Sequence, residues 1–268
     1  MQQASDFREE SLTLKSLIAD LDDAAFEKTT QFKSWTINDV FRHLHFWNKA
    51  VMVATEGDEA FATFFEGVGA HMMRGGSLPE YEKAYLDGLS GGALREAWAS
   101  LVDETADAYA ALDPSSRVPW AGPSMSARSA ISARQMETWA HGQEVFDVLG
   151  ADREDHDRIR NIVVLGINTF GWTFKVRGET PPEPMPFVSL VSPSGEVWTY
   201  GESQQSNFIQ GDAVEFAQVV TQTRNIGDTS LTVVGDRRLT GCLRHSASLA
   251  VLIHHRTKVL ALKPVNCI

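Results

Sequence analysis

Apolar residues recur at three- and four-residue intervals through the first two-thirds of the chain, and at alternate positions only beyond residue 186. The first spacing predicts helices and the second strands, because side chains share one face every 3.6 residues in a helix and every second residue in a strand. Leu12, Leu14, Leu17, Ile18 and Leu21 make residues 7–21 an amphipathic helix. Thr36 and Asp39 stand three apart, the spacing of a capping box, and open a helix in 34–47 that carries Ile37, Val40, Phe41, Leu44 and Trp47. Helices are predicted over 58–73 and 92–112, then a turn-rich loop LDPSSRVPWAGPS, then a helix over 127–149 with Gly150 as its C-cap. A long helix over 155–176 leads into GETPPEPMP at 178–186, where four prolines exclude a helix and mark the domain boundary. Past it come strands at 187–191 and 196–200 around the turn Ser192-Pro193-Ser194-Gly195, a helix at 212–222 and a strand at 230–234. The fold class is α+β: a helical domain over 1–178 and a small α+β domain over 179–268.

At 268 residues, 43% hydrophobic and 22% charged, the composition is that of a soluble globular protein with ample core. The formal net charge of -11 excludes a broad basic face, so neither nucleic acid nor an anionic membrane is an expected partner. The opening MQQASDFREES carries charge where a secretory leader has an apolar core, and the expected location is cytoplasmic. Cys242 and Cys267 form no metal-binding pair and leave residues 1–241 without a catalytic thiol.

The candidate chemistry lies in ARQMETWAHGQEVFDVLG, residues 133–150. Glu137 and His141, four apart, project from one face of the predicted helix and make half of a metal site. The spacing alone is weak, since Asp39/His43 and Asp152/His156 share it and roughly one such pair arises by chance at this composition. Asp39 has a capping role, Asp152/His156 lies in a charge-dense segment, and Glu137/His141 by itself also suits a partly buried pair near Arg134. His43 is the candidate third ligand: Val40 and Trp47 at i-3 and i+4 put it on an apolar face, where a hydrogen-bonded core imidazole is the plainer role. His45 points about 200° away around the same helix and faces another neighbour or solvent. His71 sits near a helix end and suits the helix dipole. Signatures of serine hydrolases, phosphate-binding loops, zincins and dinucleotide folds are absent.

Trp35-Thr36, Asp39-Val40 and His43-Leu44, followed by Arg134, Glu137, Trp139, His141, Gly142 and Gly150, resemble the two ordered elements of the mycothiol-dependent maleylpyruvate isomerase N-terminal family, a branch of the DinB-like helical bundles. Segments 165–174, 193–201 and 211–222 resemble the second domain of an uncharacterised two-domain subgroup. The resemblance implies a four-helix-type bundle that binds a divalent metal, zinc first, through His43, Glu137 and His141. Three protein ligands with an open position define a catalytic site. It further implies a low-molecular-weight thiol cofactor (mycothiol, glutathione or similar) for S-transfer or isomerisation of a small anionic electrophilic substrate. Arg224, and secondarily Arg134, would hold that substrate; a homodimer is an assembly such bundles often form. The subgroup's paired arginines are Thr223-Arg224 here, and Gln143-Glu144 stands where an aspartate often follows His-Gly. Two alternatives stay open: a metal-dependent hydrolase using bound water, and a metal- or ligand-binding module without chemistry. The tail departs most. From about Asp236 it loses the subgroup's Trp-Met and Gln-Cys-Phe-Ala-Gly elements, which a shifted reading frame can restore, so a frameshift there is the expectation.

Overall fold

A computed structural model describes residues 1–175 and 178–235, which group into two compact units, Met1–Asp152 and the described residues of 153–235. The first unit runs α1 (Gln2–Leu17), α2 (Ile37–Ala54), α3 (Asp58–Met73), α4 (Leu78–Tyr85), α5 (Gly91–Ala111), a two-residue ladder of β1 (Arg117–Val118) and β2 (Met125–Ser126), and α6 (Ala127–Leu149). Helix α1 packs on α5 and α6, and α2 packs on the same pair, which is the expected four-helix bundle; α3 and α4 lie against α2.

The capping box starts α2 as the spacing demands: Thr36 Oγ1 accepts from the Asp39 amide at 3.1 Å, and Asp39 Oδ2 accepts from the Thr36 amide at 3.0 Å. The apolar stripe Ile37, Val40, Phe41, Leu44 and Trp47 is fully buried. Each such side chain contributes about 1.5–3 kcal/mol of transfer free energy, and Phe41 meets Trp98 of α5 edge-on at 4.9 Å. Asn38, in the first turn of α2, ties the helix to its neighbours, donating to Glu27 at 2.8 Å and accepting from the Gly91 amide at 2.8 Å. Helix α6 has little amphipathic character, since 16 of its 23 residues are buried, and it ends on Gly150 in the left-handed region at φ 65°.

Helix α4 is unforeseen. Ser77 and Glu80 form a second capping box that starts it, and Tyr81 and Tyr85 pack their rings on Phe46 at 5.8 and 5.1 Å.

In the second unit α7 spans Arg160–Lys175, starting later than the expected 155 because a turn at Asp157–Ile159 precedes it. Strands β3 (Phe187–Val191) and β4 (Val197–Tyr200) form the expected hairpin, with Gly195 at φ 87° in its turn. Then come β5 (Phe208–Asp212), α8 (Ala213–Val220) and β6 (Thr232–Val234). The sheet order is β4-β3-β5-β6, with β5 parallel to β3 and the other pairs antiparallel. Strand β5 was not foreseen, as Phe208-Ile209-Gln210-Gly211-Asp212 shows no alternation; its parallel partner supplies the ladder. Val188, Leu190, Trp198 and Ile209 are buried with Phe216 and Ala217 of α8. Helix α7 packs on α8, with Gly166 beneath Val220. The compact units part at Asp152, so α7 and residues 178–186 belong to the second. No described helix is long and apolar enough to cross a membrane. The frameshift expectation, both cysteines and the histidines at 245, 254 and 255 fall outside the described residues.

Candidate metal centre

Two helices of the bundle bring three donor groups together. Glu137 and His141 lie one turn apart on α6, and His43 comes from α2; all three are buried, and their donor atoms lie within 4.8 Å of one another. Glu137 Oε2 stands 3.3 Å from His141 Nε2 and 3.7 Å from His43 Nε2, and the imidazole centroids are 4.9 Å apart. This is the only grouping of three or more such side chains among the described residues.

The electrostatics follow from burial and mutual contact. Burial pushes the His43 imidazolium down, but Glu82 and Glu137 outweigh it and raise its pKa to about 9. Burial pushes Glu137 up, yet the bonds and charges of His141 and His43 hold it well below the usual carboxylate range. His141 is lowered, first by burial and further by its positive neighbours His43 and Arg134, against the pull of Glu137. The ionised Glu137 carboxylate is balanced by a protonated His43, whose Nε2 proton a metal ion would replace. The donor set of two imidazoles and a carboxylate therefore fits a divalent metal.

The walls come from the chain entering α2. Trp35 stacks on the His141 ring at 5.7 Å and 8°, and Phe32 meets it edge-on at 5.1 Å. Lys33 and Ser34 between them take positive φ of 51° and 58°, a conformation most side chains avoid. The Thr30 and Trp35 amides close the turn by donating to the Trp35 and Phe32 carbonyls at 2.8 and 2.9 Å. Two strained residues thus aim both rings at His141.

Glu82 of α4 is the residue that sequence reasoning missed. It has no exposed surface; its Oε1 faces His43 Nδ1 at 2.8 Å and accepts from Trp47 Nε1 at 3.0 Å. A signal existed: Leu78, Tyr81, Glu82 and Tyr85 form one helical stripe, and an acid inside an apolar stripe marks a buried carboxylate.

Arg134, a turn before Glu137, is 2% exposed. Its Nε donates to Asn48 Oδ1 at 3.1 Å and its Nη2 to the Leu44 carbonyl at 3.3 Å, so it braces α6 on α2. Burial lowers its pKa to about 10, against the opposing charges of Glu137 and Glu82. Arg224 lies after α8 in the second unit, half-buried, donating to the Thr223 carbonyl at 2.8 Å. His45 is buried, not solvent-facing, and burial with Lys49 nearby lowers its pKa to about 4. His71 ends α3 with its ring 5.5 Å from Tyr81. Asp152 and His156 are exposed and outside any helix.

Residues 7–146 match the model of the mycothiol maleylpyruvate isomerase N-terminal domain. Two relatives are uncharacterised proteins of Mycobacterium tuberculosis, from strains CDC 1551 / Oshkosh and ATCC 25618 / H37Rv. Each is 31% identical over 232 residues, covering 87% of this chain and 89% of the relative. Two similar solved structures are crystal structures of the mycothiol-dependent maleylpyruvate isomerase and of a histidine-to-alanine mutant of it. They are 17% and 16% identical, with a TM-score of 0.51 over 81% of this chain and 87% of theirs, a likeness of fold.

Proposed function

The chain belongs to the mycothiol maleylpyruvate isomerase N-terminal domain family, and from that membership we propose that it is a metal- and thiol-dependent enzyme. Its reaction is S-transfer onto, or isomerisation of, a small anionic electrophilic substrate. The observation that carries the reading is the buried convergence of His43, Glu137 and His141. These three residues would hold a divalent ion, zinc first, and leave a position open for a further ligand. Such an ion, when bound, lowers the pKa of a coordinated thiol so that its sulfur is a thiolate near neutral pH.

The chain's own groups do the rest. Glu137, held ionised, would supply the negative donor, and each imidazole would supply one ring nitrogen, His43 by giving up a proton. Trp35 and Phe32 wall the His141 side and keep water from that ring. Arg134 offsets part of the charge of the Glu137 carboxylate. Arg224 is the proposed anchor for the substrate's anionic group, since a guanidinium pairs with a carboxylate through two parallel bonds.

The test is turnover of maleylpyruvate, the substrate in the name of the structurally similar isomerase, by zinc-loaded protein with mycothiol, with glutathione and with no thiol. The reading expects turnover only when a thiol is present. Equal turnover without thiol would favour bound water as nucleophile, and zinc loading with no turnover under any condition would favour a binding module.

A further inference from the structure

A carboxylate that is wholly buried with one oxygen idle is a liability unless it serves something. Glu82 has no exposed surface, and its Oε2 has no hydrogen-bond partner among the described residues. Leaving such a group partly unsatisfied destabilises a fold. If its purpose were to satisfy the Trp47 indole, a neutral acceptor would do so at lower cost.

What singles Glu82 out is where its other oxygen points. Oε1 takes the Trp47 N–H, and an indole nitrogen is a donor only. The same oxygen faces His43 Nδ1 at 2.8 Å, so its remaining lone pair receives an Nδ1–H. That keeps a proton of His43 on Nδ1, so the nitrogen that gives up its proton to a metal is Nε2, on the side where Glu137 and His141 converge. We infer that Glu82 is the positioning residue of the centre: it fixes the tautomer and ring plane of His43 so that Nε2 is presented as a ligand.

The placement is supported from three sides. Trp47 stands one turn after His43 on α2 and holds Oε1 from the flank. Its ring lies 6.1 Å from that of His43. Helix α4, which delivers Glu82, is fixed by its own capping box and by Tyr81 and Tyr85 on Phe46. A carboxylate bonded to the far nitrogen of a ligating histidine also raises that histidine's basicity, and losing it weakens metal binding by about 10–100-fold.

The inference rests on the metal reading, and the experiment separates the two. Zinc affinity is measured by competition with a chromogenic chelator for wild type, Glu82→Ala, Glu82→Gln and Leu14→Ala, a core substitution in α1 that serves as the control for lost stability. Nitrogen-15 NMR of the zinc-loaded protein reports which His43 nitrogen keeps its proton. Glu82→Ala should weaken zinc binding about 10–100-fold and lose the single Nδ1–H tautomer. Glu82→Gln, whose amide oxygen can still accept both bonds, should lose less, and it carries the test if Glu82→Ala does not fold. Leu14→Ala should bind zinc as wild type does. Wild-type affinity in Glu82→Ala and Glu82→Gln, or a loss no greater than that of Leu14→Ala, overturns the role of Glu82 while the metal centre stands. A wild-type protein that takes no zinc overturns both.

Discussion

Replacing Arg134 with methionine keeps much of the side-chain volume and removes a cation that is 2% exposed and acts on two buried carboxylates, Glu137 and Glu82. The change deprives Asn48 Oδ1 and the Leu44 carbonyl of donors at 3.1 and 3.3 Å. It also leaves buried negative charge without its counter-charge. Removing one partner from such an arrangement costs about 3–5 kcal/mol. For a chain of this size each kcal/mol moves the melting temperature by about 2–4 °C, so the metal-free variant should melt about 6–20 °C lower. Arg134→Lys keeps the charge but loses the planar fork, and should fall between the two. The assay is thermal unfolding followed by circular dichroism, in chelator and again in excess zinc. If the metal supplies counter-charge, zinc should recover part of the deficit; at 100-fold excess over Kd, binding adds about 2.7 kcal/mol. A variant that melts within about 2 °C of wild type, with its defect confined to KM, would refute the bracing role. It would return Arg134 to the substrate-holding role suggested by sequence resemblance.

Three further perturbations test other parts of the structure. Asn38→Ala removes two hydrogen bonds and leaves the Gly91 amide at the start of α5 unsatisfied; denaturant unfolding should show a loss of about 2–3 kcal/mol. Asp157 accepts from the Ser194 amide and hydroxyl at 3.0 and 2.7 Å, and these bonds hold its pKa below the usual carboxylate value. A depressed carboxylate stabilises above its unfolded pKa, and that contribution fades as pH falls through the folded one. Asp157→Ala should therefore cost about 1 kcal/mol at neutral pH, given its exposure, and the gap to wild type should close in acid; a gap independent of pH contradicts this. A methyl on Gly166 would meet Val220 atoms at 3.0–3.2 Å. Gly166→Ala should destabilise the second unit by about 1 kcal/mol after its gain in helix propensity, and Val220→Ala should rescue it. Stabilisation by Gly166→Ala alone would show that α7 and α8 have room to part.

The helices were legible where apolar residues recur at helical spacing or where a cap marks an end, as Gly150 does. The expected 58–73 and 127–149 coincide with α3 and α6. Helix α1 begins earlier than expected, at Gln2, because Asp6 and Glu10 lie on its buried face and break the apolar stripe. Helix α4 escaped notice because it has eight residues and little room for a period to repeat. Strand β5 escaped because a parallel ladder is supplied by a partner distant in sequence. The site divides the same way. Glu137 and His141 share a helix, so spacing alone pairs them, and His43 follows from the apolar neighbours that turn it inward. Glu82 joins them from 39 residues past His43, on the element that the pattern did not show. Contacts across that distance are set by packing, and local periodicity is silent on them.

The central claim is that His43, Glu137 and His141 hold a metal ion. The most direct test is elemental analysis of the protein as purified, wild type beside His141→Ala. Near-stoichiometric zinc in wild type, lost in the variant, is the predicted result. No metal in either protein, even after reconstitution with zinc, would contradict the claim and leave Glu137 and His141 as a buried hydrogen-bonded pair.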